Sequence, residues 1–115
     1  MPDEIAWAAL EAKAAVIKAL AHPTRLFIAM ELAKGERCVC ELTEMVGDDV
    51  STVSRHLSVM RTAGIVADRR VGTKVICWLR VPCLQGFLDC VDRVLEATAK
   101  QRYAIAMAAR SQNRD

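Results

Sequence analysis

The 115-residue sequence predicts a mainly α fold of about five helices with one β-hairpin of two strands. Three observations carry this expectation. Apolar residues recur at helical spacing in five stretches. Gly72-Thr73 separates two short segments of alternating character, which is the signal of a tight hairpin. A composition of 53% hydrophobic and 26% charged residues suits one packed domain over residues 1–115 rather than a disordered chain.

The elements follow in order. Residues 3–20 read as a helix with Ile5, Ala9, Ala12, Val16 and Leu20 on one stripe. His22-Pro23 breaks it. Proline suits the first turn of the next helix, where its missing N–H would have had no partner anyway. That helix spans residues 23–34, with Leu26, Ala29, Met30 and Leu32 or Ala33 inward, and Gly35 ends it. A third, short helix covers residues 40–46, with Leu42, Met45 and Val46 as its apolar positions. Past Gly47-Asp48, Asp49 is the expected cap of a fourth helix that runs to Thr62. Its Val53, Leu57 and Met60 face inward. Residues 65–71 and 74–80 form the strands, with Val75, Cys77 and Leu79 on one face. Pro82 stops further pairing. A last helix over residues 83–101 carries Leu84, Phe87, Leu88, Val91, Val94 and Leu95. That band is too broad for one buried stripe, so the helix is expected to bury two surfaces. Residues 104–115 are expected to fray.

The net charge of +2 hides an asymmetry. Residues 1–50 carry −4, residues 51–80 carry +5, and residues 81–115 carry +1. A basic middle third is a candidate surface for a polyanion. No apolar run is long enough to span a membrane, and early charges such as Asp3, Glu4 and Lys13 argue against a signal peptide. A cytoplasmic location is therefore expected. In that compartment five cysteines read as thiols, metal ligands or redox groups rather than as a disulfide frame.

Helix, glycine turn, helix and hairpin together make a winged helix-turn-helix. The fourth helix would enter the major groove of double-stranded operator DNA. Its outward positions are Ser51, Thr52, Ser54, Arg55 and Ser58. Small hydroxyl side chains allow close approach, and Arg55 can pair bidentately with guanine. Arg69, Arg70 and Lys74 flank the hairpin tip, where a wing meets phosphate or the minor groove. An enzyme is not expected. The Ser and His residues near Asp49 sit on one short amphipathic helix, without a nucleophile elbow, a phosphate loop or a zinc-protease motif. A pure protein-interaction module would leave the basic third unexplained.

The segments His22-Pro23-Thr24-Arg25-Leu26, Gly35-Glu36-Arg37-Cys38-Val39-Cys40-Glu41-Leu42, Ser51-Thr52-Val53-Ser54-Arg55-His56-Leu57 and Ala63-Gly64-Ile65-Val66 occur in a familiar order. Together they resemble the ArsR/SmtB family of winged-helix, homodimeric repressors that sense metals and metalloids. The resemblance covers roughly residues 10–80. It implies a dimer built through the first and last helices, and release of the operator when an inducer binds. No cofactor is required.

Cys38 and Cys40 resemble the thiolate site of arsenic and antimony sensors, which implies As(III) or Sb(III) as inducer. Soft thiolates favour thiophilic ions. Members of that type carry a third Cys where this chain has Thr43. A third thiolate then comes from elsewhere in the chain, from an exogenous thiol, or is absent; Cys83 and Cys90, seven residues apart on one helical face, are the candidates in the chain, and buried helix cysteines are the plainer reading of both. Cys77 reads as a small core residue. On a regular helix Cys38 and Cys40 would point about 200° apart, so a shared ion requires a distorted helix start. Zinc-type sensing is disfavoured because the histidines are His22 and His56 alone, and the last helix has none. His22 is expected to order the start of the second helix, and His56 to pack helices. The alternative inputs are oxidants or sulfide species, or cadmium or lead, acting through the same cysteines.

Overall fold

The computed structural model describes residues 1–112. They form two compact units, Met1–Pro82 and a second that begins at Cys83. The first unit contains α1 (Glu4–Leu20), α2 (Pro23–Lys34), β1 (Arg37–Cys38), α3 (Val39–Val46), α4 (Val50–Thr62), β2 (Val66–Val71) and β3 (Lys74–Leu79). The second is the single helix α5 (Leu84–Gln112).

Local chemistry sets these boundaries. Asp3 caps α1 by accepting the Ala6 N–H at 2.8 Å. His22 caps α2 through Nδ1, which accepts the Thr24 N–H at 3.1 Å, and Pro23 fills the first helical position. Gly47 ends α3 in the left-handed region at φ 78°, a conformation that glycine adopts at least cost. Asp49 then caps α4 by accepting the Thr52 N–H at 2.8 Å. In the hairpin Val71 faces Lys74 across Gly72-Thr73. A positive φ at Gly72 alone, 63°, gives the twist of a type II′ loop.

The sheet has three strands, not the expected two. β1 pairs antiparallel with β3, Arg37 opposite Cys77 and Cys38 opposite Ile76, in the order β1-β3-β2. A two-residue strand has no alternation to read, and its partner lies about forty residues away in sequence.

The core of this unit gathers Ile28 and Leu32 from α2, Leu42 from α3, Val53, Leu57 and Met60 from α4, and Ile65, Val66 and Cys77 around the hairpin. The inward face of α4 is as expected. That of α2 is rotated: Ile28 and Ala29 are buried, while Met30 and Ala33 are exposed. Met45 of α3 is also exposed. On α1, Ala19 and Leu20 are buried, but the rest of the expected stripe, Ile5 to Val16, faces solvent with Trp7, Leu10 and Ile17.

α5 continues well past Gln101, through positions expected to fray. Residues 113–115 of that tail lie outside the described residues. Along α5, Phe87, Val91, Val94, Leu95, Tyr103, Ile105 and Met107 are exposed.

Candidate nucleic-acid interface and cysteine site

α3, the Gly47 turn and α4 form the helix-turn-helix. Val53, Leu57 and Met60 are held in the core, so rotation of α4 is fixed and its opposite face looks outward. Ser51, Ser54, Arg55 and Ser58 are exposed there and Thr52 is half-buried. Ser51 Oγ donates to Asp49 Oδ1 at 2.9 Å, which ties that hydroxyl to the helix cap. The Thr52 N–H, then Ser51, hold the Asp49 carboxyl below its usual range. An ionised cap suits a helix N-terminus.

The hairpin presents Arg70 and Lys74, both exposed. Arg69 is engaged differently. Its guanidinium makes two hydrogen bonds to the Glu36 carboxylate, both 2.9 Å, and lies 5.3 Å over the Trp78 ring. The hydrogen bond from Arg69 lowers the Glu36 carboxyl below its usual range. This pair fastens the residue before β1 to the wing.

A polar contact that the sequence patterns do not reveal supports α4 from behind. Arg25 Nε–H donates to His56 Nδ1 at 3.1 Å, and the His22 and His56 rings lie 4.4 Å apart. Burial holds the His56 imidazole below the ordinary histidine value, with His22 and Arg25 adding to the effect. His22 orders the start of α2 and His56 packs helices, both as expected. Arg25 lies within the His22–Leu26 segment, but its partner is 31 residues away.

Cys38 and Cys40 are joined in a disulfide, with Cα atoms 5.3 Å apart. The sequence leaves thiols, metal ligands and redox groups all open for these cysteines; in this structure Cys38 and Cys40 form an oxidised pair. The geometry has a simple cause. Cys38 is not helical: it ends β1 and serves as N-cap of α3 in an extended conformation, φ −78° and ψ 156°. The helical angle between i and i+2 therefore does not apply, and the two sulfurs meet. Cys38 Sγ also accepts the Glu41 N–H at 3.2 Å, while Glu41 Oε1 accepts the Cys38 N–H at 3.1 Å. Arg37 sits between Glu31 and Glu41, at 3.9 and 3.6 Å. Among the described residues, no group of three His, Cys, Asp or Glu side chains is placed to hold a metal ion. Cys83 and Cys90 are free and exposed rather than buried; Cys90 lies on α5, but Cys83 sits in the turn before it, so the helical face expected to carry both is not formed. Cys77 is a buried core residue, its thiol pushed up to about 11 by burial and then by Asp68.

The family pattern described as bacterial regulatory protein, arsR family, matches residues 22–68. The HTH-type transcriptional regulator Rv0081 of Mycobacterium tuberculosis is 37% identical over 94 residues, 81% of this chain and 82% of that protein. The crystal structure of Rv0081 has a TM-score of 0.70 at 32% identity, covering 89% of this chain and 99% of that one. The homodimeric winged helix-turn-helix DNA-binding domain of Mb0332 from Mycobacterium bovis, solved by NMR, has a TM-score of 0.73 at 29% identity, covering 87% and 93%. The arsenic resistance transcriptional regulator ArsR1 of Pseudomonas putida is 47% identical over 58 residues, 50% of this chain and 45% of that protein. By its helix-turn-helix, its hairpin wing and these relatives, the chain belongs to the ArsR family of bacterial transcriptional regulators, DNA-binding proteins rather than enzymes.

Proposed function

We propose that the chain is a cytoplasmic, homodimeric repressor whose hold on operator DNA is set by the state of Cys38 and Cys40. Ser54, Arg55 and Ser58 on α4 read base edges and nearby phosphates. Ser51 and Thr52 support the helix start, and Arg70, Lys74 and Arg69 meet the backbone from the wing. The exposed apolar residues of α1 and α5 are the surface for the second copy, as the homodimeric relative from Mycobacterium bovis suggests. Each outer helix would then bury the face it leaves open here.

The inducer is As(III) or Sb(III), taken by the two thiols once the disulfide is reduced. Soft sulfur donors select such ions, and the similar regulator from Pseudomonas putida is named for arsenic resistance. The pair supplies two sulfurs; the third position falls to Cys83, Cys90 or an exogenous thiol. The observation that carries this reading is the position of the pair. Cys38 lies in β1, bonded to the wing strand β3, and Cys40 lies in α3, which leads into α4. A ligand that binds one arrangement of this joint more tightly than another shifts both DNA-reading elements at once. The test is a gel-shift titration of the reduced protein with arsenite and antimonite. Operator release at low ratios of ion to dimer supports the reading, and indifference to both ions removes it.

The disulfide itself favours a second reading, in which oxidation of the pair is the signal. Release by peroxide or polysulfide, without release by arsenite, would select that input.

A further inference from the structure

Beside Cys40 the structure has a cavity of about 530 Å³ between the start of α3, the face of α4 and the hairpin. Its polar lining is Cys40, Ser54, Arg61, Thr73 and Lys74, and valine and leucine side chains form the rest. Arg61 pairs with Asp68, whereas Lys74 is exposed and makes no ion pair among the described residues. The two sulfurs of the disulfide differ sharply in access. Cys38 is 2% exposed, but Cys40 is exposed and borders the cavity.

We propose that Cys40 is the exchange site for an anionic low-molecular-weight thiol, whose carboxylate is received by Lys74. The thiolate sulfur of the incoming molecule attacks Cys40 Sγ. A bond forms between them, the Cys38–Cys40 bond breaks, and the electron pair leaves with Cys38 as thiolate. No net oxidant is consumed, because one disulfide replaces another. The leaving sulfur is already placed to be stabilised: Cys38 Sγ accepts the Glu41 N–H at the N-terminus of α3. The Glu41 carboxylate works against this, but it is turned to the Cys38 N–H and to Arg37. The adduct would then occupy the space between Ser54 on the recognition helix and Lys74 on the wing.

The proposal rests on the redox reading of the cysteine pair, and its test separates the two. The full chain is oxidised and treated with mercaptoacetate, 2-mercaptoethanol or cysteamine. It is quenched in denaturing N-ethylmaleimide and mapped by peptide mass. Rates are taken relative to each reagent's rate with the neutral 2-hydroxyethyl disulfide. The expected product carries the reagent on Cys40 and maleimide on Cys38. Mercaptoacetate should lead cysteamine by roughly fivefold or more, the attraction of one close cation even in water. The lead should shrink in Lys74→Gln. Reagent on Cys38, equal labelling of both sulfurs, or no charge preference would overturn the site. Operator affinity is measured in parallel. A Cys40 adduct with unchanged affinity keeps the exchange site and removes the redox signal. Release of DNA by peroxide without any Cys40 adduct does the opposite.

Discussion

Arg25 Nε–H donates to His56 Nδ1 at 3.1 Å, and this bond ties the first turn of α2 to the middle of the recognition helix. The bond requires an unprotonated Nδ1. A proton there removes the acceptor and places a second cation beside Arg25 and His22. Arg55 opposes protonation as well, and Asp48 favours it. The folded state therefore binds this proton less readily than the unfolded chain. Stability from the contact is fully present above the ordinary histidine value near 6.5, and falls as pH drops below it. Thermal melts of the wild type and His56→Gln should show the wild type ahead at pH 7.5. The gap should narrow by pH 5.5, and a gap independent of pH would show that the imidazole does not titrate against Arg25.

Arg55 is exposed on the outward face of α4, away from the buried Val53, Leu57 and Met60. Arg55→Ala should cost about 1–3 kcal/mol of operator affinity, the range for losing a bidentate base contact. Its melting temperature should stay close to wild type, because surface truncations change stability by roughly 0.5 kcal/mol or less. Fluorescence anisotropy with operator and scrambled duplexes separates base reading from phosphate binding. Equal losses on both duplexes would assign Arg55 to the backbone.

The contrast between these two arginines shows what a sequence discloses. The outward position of Arg55 follows from helical period, because Val53, Leu57 and Met60 anchor the opposite side. The partner of Arg25 does not, since no local pattern links it to His56. β1 is invisible for the same reason: its bonds go to Cys77 and Ile76 on a distant strand. That missing strand had a direct effect at the cysteines. A regular helix through Cys38 and Cys40 would separate the sulfurs, whereas Cys38 as the end of a strand and an N-cap brings them together. The phase of α2 slipped because Ile28 and Met30 are both apolar, and packing against the sheet decided between them. The open faces of α1 and α5 were legible as apolar bands, though not in their full extent.

Glu36 restrains a cation that the proposed wing contact with DNA would use. Both hydrogen bonds from Arg69 end on its carboxylate, and both side chains are about half exposed. A phosphate must compete with that carboxylate to recruit Arg69. Glu36→Gln should therefore tighten operator binding and steepen its dependence on salt. The slope of log affinity against log salt should grow by roughly 0.9, the value for one added phosphate contact. An unchanged slope would mean that Arg69 stays over Trp78 when DNA binds.

Serine at either cysteine should separate sensing from folding. Cys38 is the N-cap of α3, where serine is itself a preferred acceptor. Cys40 is exposed, so its replacement disturbs no core contact. Cys38→Ser and Cys40→Ser should thus keep operator affinity within about twofold, a change of roughly 0.4 kcal/mol. Both should lose release by arsenite and by peroxide. A single variant that responds to arsenite like the wild type would move the ion to Cys83 or Cys90.

Thr43 lies three residues after Cys40, so the two side chains share one face of α3. Its Oγ1–H donates to the Val39 carbonyl at 2.8 Å, a bond that satisfies a carbonyl already committed to the helix. Thr43→Cys exchanges that local bond for a third sulfur within a turn of the pair. In the reduced protein, arsenite affinity should be preserved or tightened. Near-ultraviolet absorbance of the thiolate–As(III) complex, titrated per dimer, reads both affinity and the number of sulfurs engaged. If the variant gains a sulfur and binds more tightly, the local three-sulfur geometry is available to this helix start and the wild type simply lacks the donor. A large loss of affinity would mean that the ion is held on another side of Cys38 and Cys40, and that the first turn of α3 does not open toward residue 43.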